Sequence, residues 1–220
     1  IINSFKDRLL ESGKTRLLEK TPQNCLRPDF VDSVLQGARF VHVIRNGYES
    51  TLSINKFWET NTRGFTGVRF SQRLKEMTLS QIPRYGVQFV KRILGQFLGD
   101  NYGVYWGPRI PGGEQVLRER GSLYLSALQW RMCVESACQF GQRIGPARYM
   151  EVKLEEMTVD TINEIADFLE LGEGSDFVLE AYKSQFQSAS VAHRKRDANL
   201  KDIAIIRELI EPTMQWLDYD

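Results

Sequence analysis

The sequence predicts an α/β fold: a parallel sheet flanked by helices, with a helical insertion. Three short runs rich in apolar or β-branched residues are strand candidates, at residues 16–20, 40–45 and 148–153, and helical or polar sequence follows each of them. This alternation is typical of βαβ units, whose strands run parallel. With 220 residues, the chain only slightly exceeds the usual size of about 100 to 200 residues per domain. We therefore expect a single domain over residues 1–220.

The second candidate strand carries the strongest functional signal. It ends in Arg45, and Gly47 then allows a tight turn into a helical run that contains Ser53. Ligands of open α/β sheets collect at this carboxyl edge. A planar guanidinium with a hydroxyl from the next helix suits a phosphate, because both groups form hydrogen bonds to its oxygens. The alternative is an ordinary strand-end arginine paired with a carboxylate.

Helical periodicity marks the remainder of the chain. Residues 123–137 and 159–169 each show an apolar stripe along one helix face, and Pro212 should kink or end the last helix. Between residues 60 and 120 the pattern changes to an apolar helical stretch at 79–98 and a Gly-, Pro- and aromatic-rich segment at 99–113. Long segments of this kind are commonly binding loops or lids.

Composition excludes several function classes. A net charge of +1 gives no global field of the kind that marks nucleic-acid binders, so we expect no nucleic-acid partner. The three cysteines are odd in number and favour buried thiols over a disulfide framework. With no N-glycosylation motif in the sequence, a reducing, cytoplasmic location is expected.

Four stretches, in order, resemble the sulfotransferases that use 3′-phosphoadenosine 5′-phosphosulfate (PAPS). Arg45 and Ser53 have the spacing of that family's 3′-phosphate-binding element. Residues 16–24 resemble its Glu-Lys-Thr-Pro element and residues 150–157 its Arg-Tyr-Glu-Asp-Leu strand, although Lys and Leu replace the usual Arg-Tyr. Residues 193–196 and the helix after them resemble its nucleotide-covering basic loop, without the usual nearby Trp.

The resemblance implies a P-loop NTPase-like sheet and transfer of a sulfuryl group from PAPS to a hydroxyl or amine, with 3′-phosphoadenosine 5′-phosphate (PAP) as product and no metal. Arg45 and Ser53 would hold the 3′-phosphate, and Arg194, Lys195 and Arg196 would close over the nucleotide. A solvated linker is the alternative for the three basic residues. The acceptor would be a small molecule, lipid or carbohydrate, selected by the variable region 60–120.

Lys20 and Glu19 are the candidate catalytic residues. The Lys20 ammonium can follow charge that develops on the bridging oxygen, and Glu19 would take the acceptor proton. Because adjacent strand residues point to opposite faces, both reach one site only if the strand has already ended. The alternatives are a surface lysine and a structural ion-pair partner. His42, inside a strand, is better explained as a core histidine than as a catalyst.

Trp106 and Arg109 could line the acceptor pocket, since aromatic side chains often stack on sugars or flat acceptors; a packed turn explains them equally well. The apolar stretch 79–98 could face the core or form a homodimer. The family's N-terminal phosphosulfate loop has no counterpart here, so we expect an N-terminally incomplete domain. Two other functions stay open: a P-loop kinase-like phosphotransferase, and a non-catalytic relative that serves as a binding module.

Overall fold

A computed structural model describes residues 2–62, 107–172, 174–185 and 200–219. The predicted helical stretch 79–98 and most of the Gly- and Pro-rich segment after it lie outside these residues. In chain order, the elements are helix α1 (Ile2–Ser12), a 3-10 turn (Pro22–Leu26), α2 (Pro28–Val34), strand β1 (Phe40–Ile44), α3 (Gly47–Thr62), α4 (Gly113–Ile144), β2 (Tyr149–Lys153), a 3-10 turn (Leu154–Glu156), α5 (Val159–Phe168), α6 (Gly174–Gln185) and α7 (Leu200–Trp216).

The described chain is mixed α/β and mostly helical, with a small two-stranded sheet. Strands β1 and β2 run parallel, and their register pairs Phe40 with Tyr149 and Ile44 with Lys153. Both strands were predicted from their apolar runs, and both predictions are confirmed to within one residue. Because the strands are parallel, their carboxyl ends lie at the same edge of the sheet.

The predicted strand at residues 16–20 is wrong: these residues have no regular structure, and residues 11–20 are exposed throughout. Strand hydrogen bonds need a neighbouring strand, and the described sheet contains only β1 and β2. The segment is instead anchored by Arg16, whose guanidinium donates to the carbonyl oxygens of Leu169 at 2.7 Å and Glu170 at 2.5 Å, just after α5.

Helix α4 is the main helix of the core, as its apolar stripe predicts. Trp130, Val134 and Ala137 are buried along one face. Phe140, one turn further on, meets Phe40 of β1 edge to face, with ring centroids 4.9 Å apart. The main cluster combines this face with the end of β1 and one side of α7; its buried members are Ile44, Ala127, Trp130, Val134, Cys138, Ile206, Ile210 and Met214.

Helix α4 is interrupted at Gly121, which has φ 82° and ψ 176°. Side chains other than hydrogen rarely allow this conformation. A Cβ at Gly121 would have no atom within 4 Å, so the glycine is required by the backbone and not by a neighbour. The interruption divides α4 into a first segment near the exposed turn at Gly112 and a second segment that packs on the sheet.

Helix α7 continues through Pro212 to Trp216, so of the two outcomes predicted for this proline, a kink or an end of the helix, the end is wrong. Packing on both sides of the proline holds the helix, since Ile210 and Met214 are buried. Thr213, 2% exposed, also donates a hydrogen bond to Glu135 of α4 at 2.6 Å. These contacts offset the N–H that a proline lacks.

Helix α5 begins with a capping box at Thr158 and Thr161 and buries Ile162 and Ala166, as its stripe predicts. All three cysteines of the chain are free thiols. Within the described ranges, no helix combines the length and apolarity required to span a bilayer.

Candidate functional site

The corner between β1 and α3 is held by Asn46. Its side-chain oxygen accepts the backbone N–H groups of Tyr48 at 3.0 Å and Glu49 at 3.3 Å, which caps the first turn of α3. The backbone N–H of Asn46 donates to the Glu155 carboxylate at 2.8 Å. Because Glu155 follows β2, this contact ties together the carboxyl ends of the two strands.

Arg45 lies at this corner with its guanidinium partly buried. Its Nη2 donates to the Glu49 carboxylate at 2.8 Å, and the two side chains are 30% and 21% exposed. Its Nε is buried and has no hydrogen-bond partner among the described residues. Glu49 and Ser53 are four residues apart on α3 and therefore share a helix face. Glu49 lies between the two predicted phosphate ligands in sequence and already pairs with one of them, Arg45. Ser53 is half-buried.

Packing beneath the corner fixes its position. Gly47 opens α3 against α4 and α7; a Cβ there would lie 2.6 Å from Ile210 and 2.8 Å from the Trp130 ring. The Trp130 indole N–H donates to the Arg45 carbonyl oxygen at 3.1 Å, and the Gly47 N–H points to the Met214 sulfur at 3.2 Å. Only glycine leaves room for this approach. The turn that positions Arg45 is thus packed into the core.

Tyr219 closes the carboxyl edge of the sheet. Its hydroxyl donates to Glu155 at 3.0 Å and lies 3.4 Å from the carbonyl oxygen of Ile44. The Lys153 ammonium lies 4.8 Å from the centre of the Tyr219 ring and donates to the carbonyl of Asp218 at 2.9 Å. Burial, with Glu155 beside it, raises the pKa of the Tyr219 hydroxyl, so the phenol is neutral at physiological pH.

The two candidate catalytic residues lie on the exposed segment before the first 3-10 turn. Glu19 accepts hydrogen bonds from Thr21 at 2.5 Å and from Asn24 at 3.3 Å, and Lys20 is exposed. In the part of the chain that the structure describes, neither forms a hydrogen bond or an ion pair with Arg45 or Ser53. The contacts of Glu19 are local, within five residues of its own position.

Arg109 is exposed and pairs with Glu114 of α4 at 3.3 Å, with 74% of the Arg109 side chain and 62% of the Glu114 side chain accessible. Trp106 and the basic run Arg194, Lys195 and Arg196 lie outside the described residues. Their predicted roles stay predictions.

A second polar group occupies the sheet face that α4 covers. It consists of His42, Cys138, Tyr149 and Glu151 and is called the sheet-face cluster below. The register places His42 directly opposite Glu151, and Cys138 approaches from α4. The His42 Nδ1 lies 2.7 Å from the Tyr149 hydroxyl and 3.9 Å from the Cys138 sulfur.

Burial keeps most of this cluster uncharged. It raises the pKa of the Cys138 thiol to about 12 and lowers the pKa of His42, although the nearby Glu151 charge opposes the second effect. Burial is also the main reason why the pKa of Tyr149 is raised, with Cys138 and Glu151 adding to it. Glu151 differs from the other members because it is exposed.

A cavity of about 610 Å³ adjoins the sheet-face cluster. Cys138, Tyr149 and Glu151 border it, together with Lys153 and the end of α7. Glu151, which borders the cavity, is itself exposed. The cluster is therefore reachable from outside the core.

Sequence reasoning missed most of these side chains. Glu155 and Tyr219, which close the sheet edge, lie in stretches that resemble the family, but neither was predicted to contribute to the site. His42 was explained as a core histidine, which agrees with its partial burial, but its partners Cys138 and Glu151 were not foreseen. Residues 149 and 151 lie on the same sheet face because side chains alternate along a strand, so their proximity can be predicted from the sequence. Their position beside His42 depends on the strand register, which the sequence does not show.

Comparison of the chain with protein-family models, with curated proteins and with solved structures finds no match.

Proposed function

We propose that this chain is a PAPS-dependent sulfotransferase of P-loop NTPase-like topology, which transfers a sulfuryl group from PAPS to a hydroxyl or amine acceptor. Arg45 and Ser53 hold the 3′-phosphate of the nucleotide, and the basic run 194–196 closes over it. Lys20 stabilises charge on the bridging oxygen, and Glu19 accepts the proton of the acceptor. The acceptor lies near Trp106 and Arg109. The ordered resemblance of four stretches to the family supports these assignments, except for Trp106 and Arg109, which rest on the stacking of aromatic side chains on sugars or flat acceptors.

The observation that carries the proposal is the guanidinium of Arg45. It lies at the carboxyl edge of parallel strands, where α/β proteins collect their ligands, and its buried Nε lacks a partner among the described residues. A buried donor without an acceptor costs free energy unless a ligand completes it. A phosphate oxygen is a suitable acceptor, because charge-assisted bonds to Arg are strong and directional.

Glu49 competes with a bound phosphate for Arg45 and thereby lowers the affinity of this site for PAP. Its carboxylate holds Arg45 Nη2 at 2.8 Å, so a bound phosphate must displace it or share the guanidinium with it. We expect Glu49→Gln to strengthen PAP binding by about 1.4- to fivefold, since a partly exposed ion pair contributes roughly 0.2–1 kcal/mol. Isothermal titration calorimetry with PAP measures the change.

The matched control is Glu170→Gln, which removes the carboxylate paired with Arg39 at 2.5 Å near the opposite end of β1. It should leave the PAP affinity unchanged. An equal or weaker affinity in Glu49→Gln would contradict competition between Glu49 and a phosphate for Arg45.

Turnover tests the activity itself. PAP release from PAPS is measured with a phenol, a monosaccharide and a fatty alcohol as acceptors, with and without EDTA. The proposal predicts acceptor-dependent PAP release that EDTA does not abolish, because sulfuryl transfer by this family needs no metal. Mg²⁺-dependent transfer from ATP instead would favour the phosphotransferase. Tight PAP binding without turnover on any acceptor would favour a binding module.

A further inference from the structure

The sheet-face cluster brings three metal-ligating groups together. One ligand atom from each of His42, Cys138 and Glu151 lies within 4.8 Å of the other two. They come from three elements: His42 from β1, Glu151 from β2 and Cys138 from α4. The cross-strand register and the packing of α4 set these positions before any ion arrives.

We propose that His42, Cys138 and Glu151 bind a zinc ion. Thiolate, imidazole and carboxylate are the three side-chain types that zinc uses, and a thiolate ligand disfavours Mg²⁺ and Ca²⁺. Tetrahedral bonds of about 2.0–2.3 Å separate neighbouring ligand atoms by roughly 3.3–3.6 Å. The separation of 3.9 Å between Cys138 Sγ and His42 Nδ1 is close to that distance, and small side-chain rotations suffice to reach it.

Tyr149 occupies the ligand position on His42 when no ion is bound. Its hydroxyl lies 2.7 Å from Nδ1, so binding of zinc to Nδ1 replaces this hydrogen bond and leaves the phenol oxygen beside the ion. Coordination of Cys138 forms a zinc–sulfur bond and releases the thiol proton to solvent. Zinc binding thus replaces the Tyr149–His42 hydrogen bond and the Cys138 S–H bond with bonds to a neutral imidazole and to a thiolate, and the thiolate charge partly compensates the ion.

Access and charge also fit a cation. Glu151 is exposed and borders the cavity of about 610 Å³, which gives an entry path and room for a water as fourth ligand. Lys153, two residues further along the same strand face, directs its ammonium to Asp218 and Glu156. Its charge is therefore already paired with the Glu156 carboxylate.

This site is separate from the proposed nucleotide site and does not depend on the proposed function. A hydrogen-bonded core network of the same four side chains is the competing explanation. The two differ in one measurable property, which is a metal–sulfur bond to Cys138.

Cobalt is the spectroscopic probe, in the Cys25→Ser/Cys133→Ser variant, where Cys138 is the only thiol that remains. We expect one Co²⁺ per chain with a thiolate-to-cobalt charge-transfer band, displaced by Zn²⁺. Cys138→Ser in that background should abolish the band. His42→Gln and Glu151→Gln should each weaken Zn²⁺ binding by at least about tenfold. His193→Gln, which changes the only other histidine, is the matched control.

X-ray absorption of the zinc-loaded wild-type chain requires no variant and decides the matter if a substitution prevents folding. One sulfur with nitrogen and oxygen neighbours supports the site. A shell of nitrogen and oxygen alone would overturn it, as would a cobalt band that persists after Cys138→Ser or is insensitive to His42→Gln.

Discussion

Replacing Trp130 with alanine is expected to lower the free energy of unfolding by about 3–5 kcal/mol. The indole is only 7% exposed and belongs to the core cluster formed by α4, α7 and the end of β1. Its removal leaves a cavity beneath Gly47 and also deprives the Arg45 carbonyl oxygen of its donor. Urea unfolding followed by circular dichroism measures the loss.

Trp130→Phe separates the two contributions. It retains a large ring but lacks the N–H, so the partly buried Arg45 carbonyl loses its donor. A fully buried carbonyl without a donor costs about 1–3 kcal/mol, and this one costs less. We therefore expect an intermediate loss, together with weaker nucleotide binding if the Arg45 backbone shifts. A loss below about 1 kcal/mol for Trp130→Ala would contradict the position of this side chain in the core.

Gly141→Ala is expected to destabilise the protein although it places alanine in a helix. Helix propensity favours alanine by about 1 kcal/mol. Against this, a Cβ at residue 141 would lie 2.1 Å from Cε1 and 2.2 Å from Cδ1 of Tyr149. Overpacking of this kind costs about 1–3 kcal/mol and sometimes more, so the steric effect wins. Thermal unfolding gives the net change.

Two further variants identify the cause. Gly174→Ala is the matched control, because its Cβ would meet only Leu171 at 3.9 Å, and it should be neutral or stabilising. In the double variant Gly141→Ala/Tyr149→Ala the clash is absent, so the two losses should sum to more than the measured loss. Simple additivity would show that Tyr149 does not lie against Gly141.

The strands and the long helix were predictable because their patterns are local. The β-branched run before Arg45 and the stripe through Trp130 depend only on strand and helix periodicity. The strand expected at 16–20 was wrong, because a strand also needs a partner that no local pattern reveals. The segment is instead held in place by Arg16, whose guanidinium donates hydrogen bonds to backbone carbonyls more than 150 positions away in sequence.

The candidate site was predictable only in part. The sequence predicted Arg45 at the end of a strand. Pairing of this arginine with a carboxylate was one of the two interpretations of it, and the structure identifies that carboxylate as Glu49. The sheet-face cluster was not predictable as a unit, because Cys138 meets His42 only through the packing of α4 on the sheet. Contacts between segments that are distant in sequence leave no local pattern from which they could be predicted.

Calorimetric titration of PAP and of 5′-AMP into this chain and into its Arg45→Ala variant tests the proposed nucleotide site most directly. These ligands differ in the 3′-phosphate that Arg45 is proposed to bind. A 3′-phosphate site at Arg45 predicts that PAP binds at least about tenfold more tightly and that Arg45→Ala removes the difference, whereas Arg39→Ala, at the opposite end of β1, retains it. Equal binding of the two nucleotides, or a difference that survives Arg45→Ala, would show that Arg45 does not bind the 3′-phosphate.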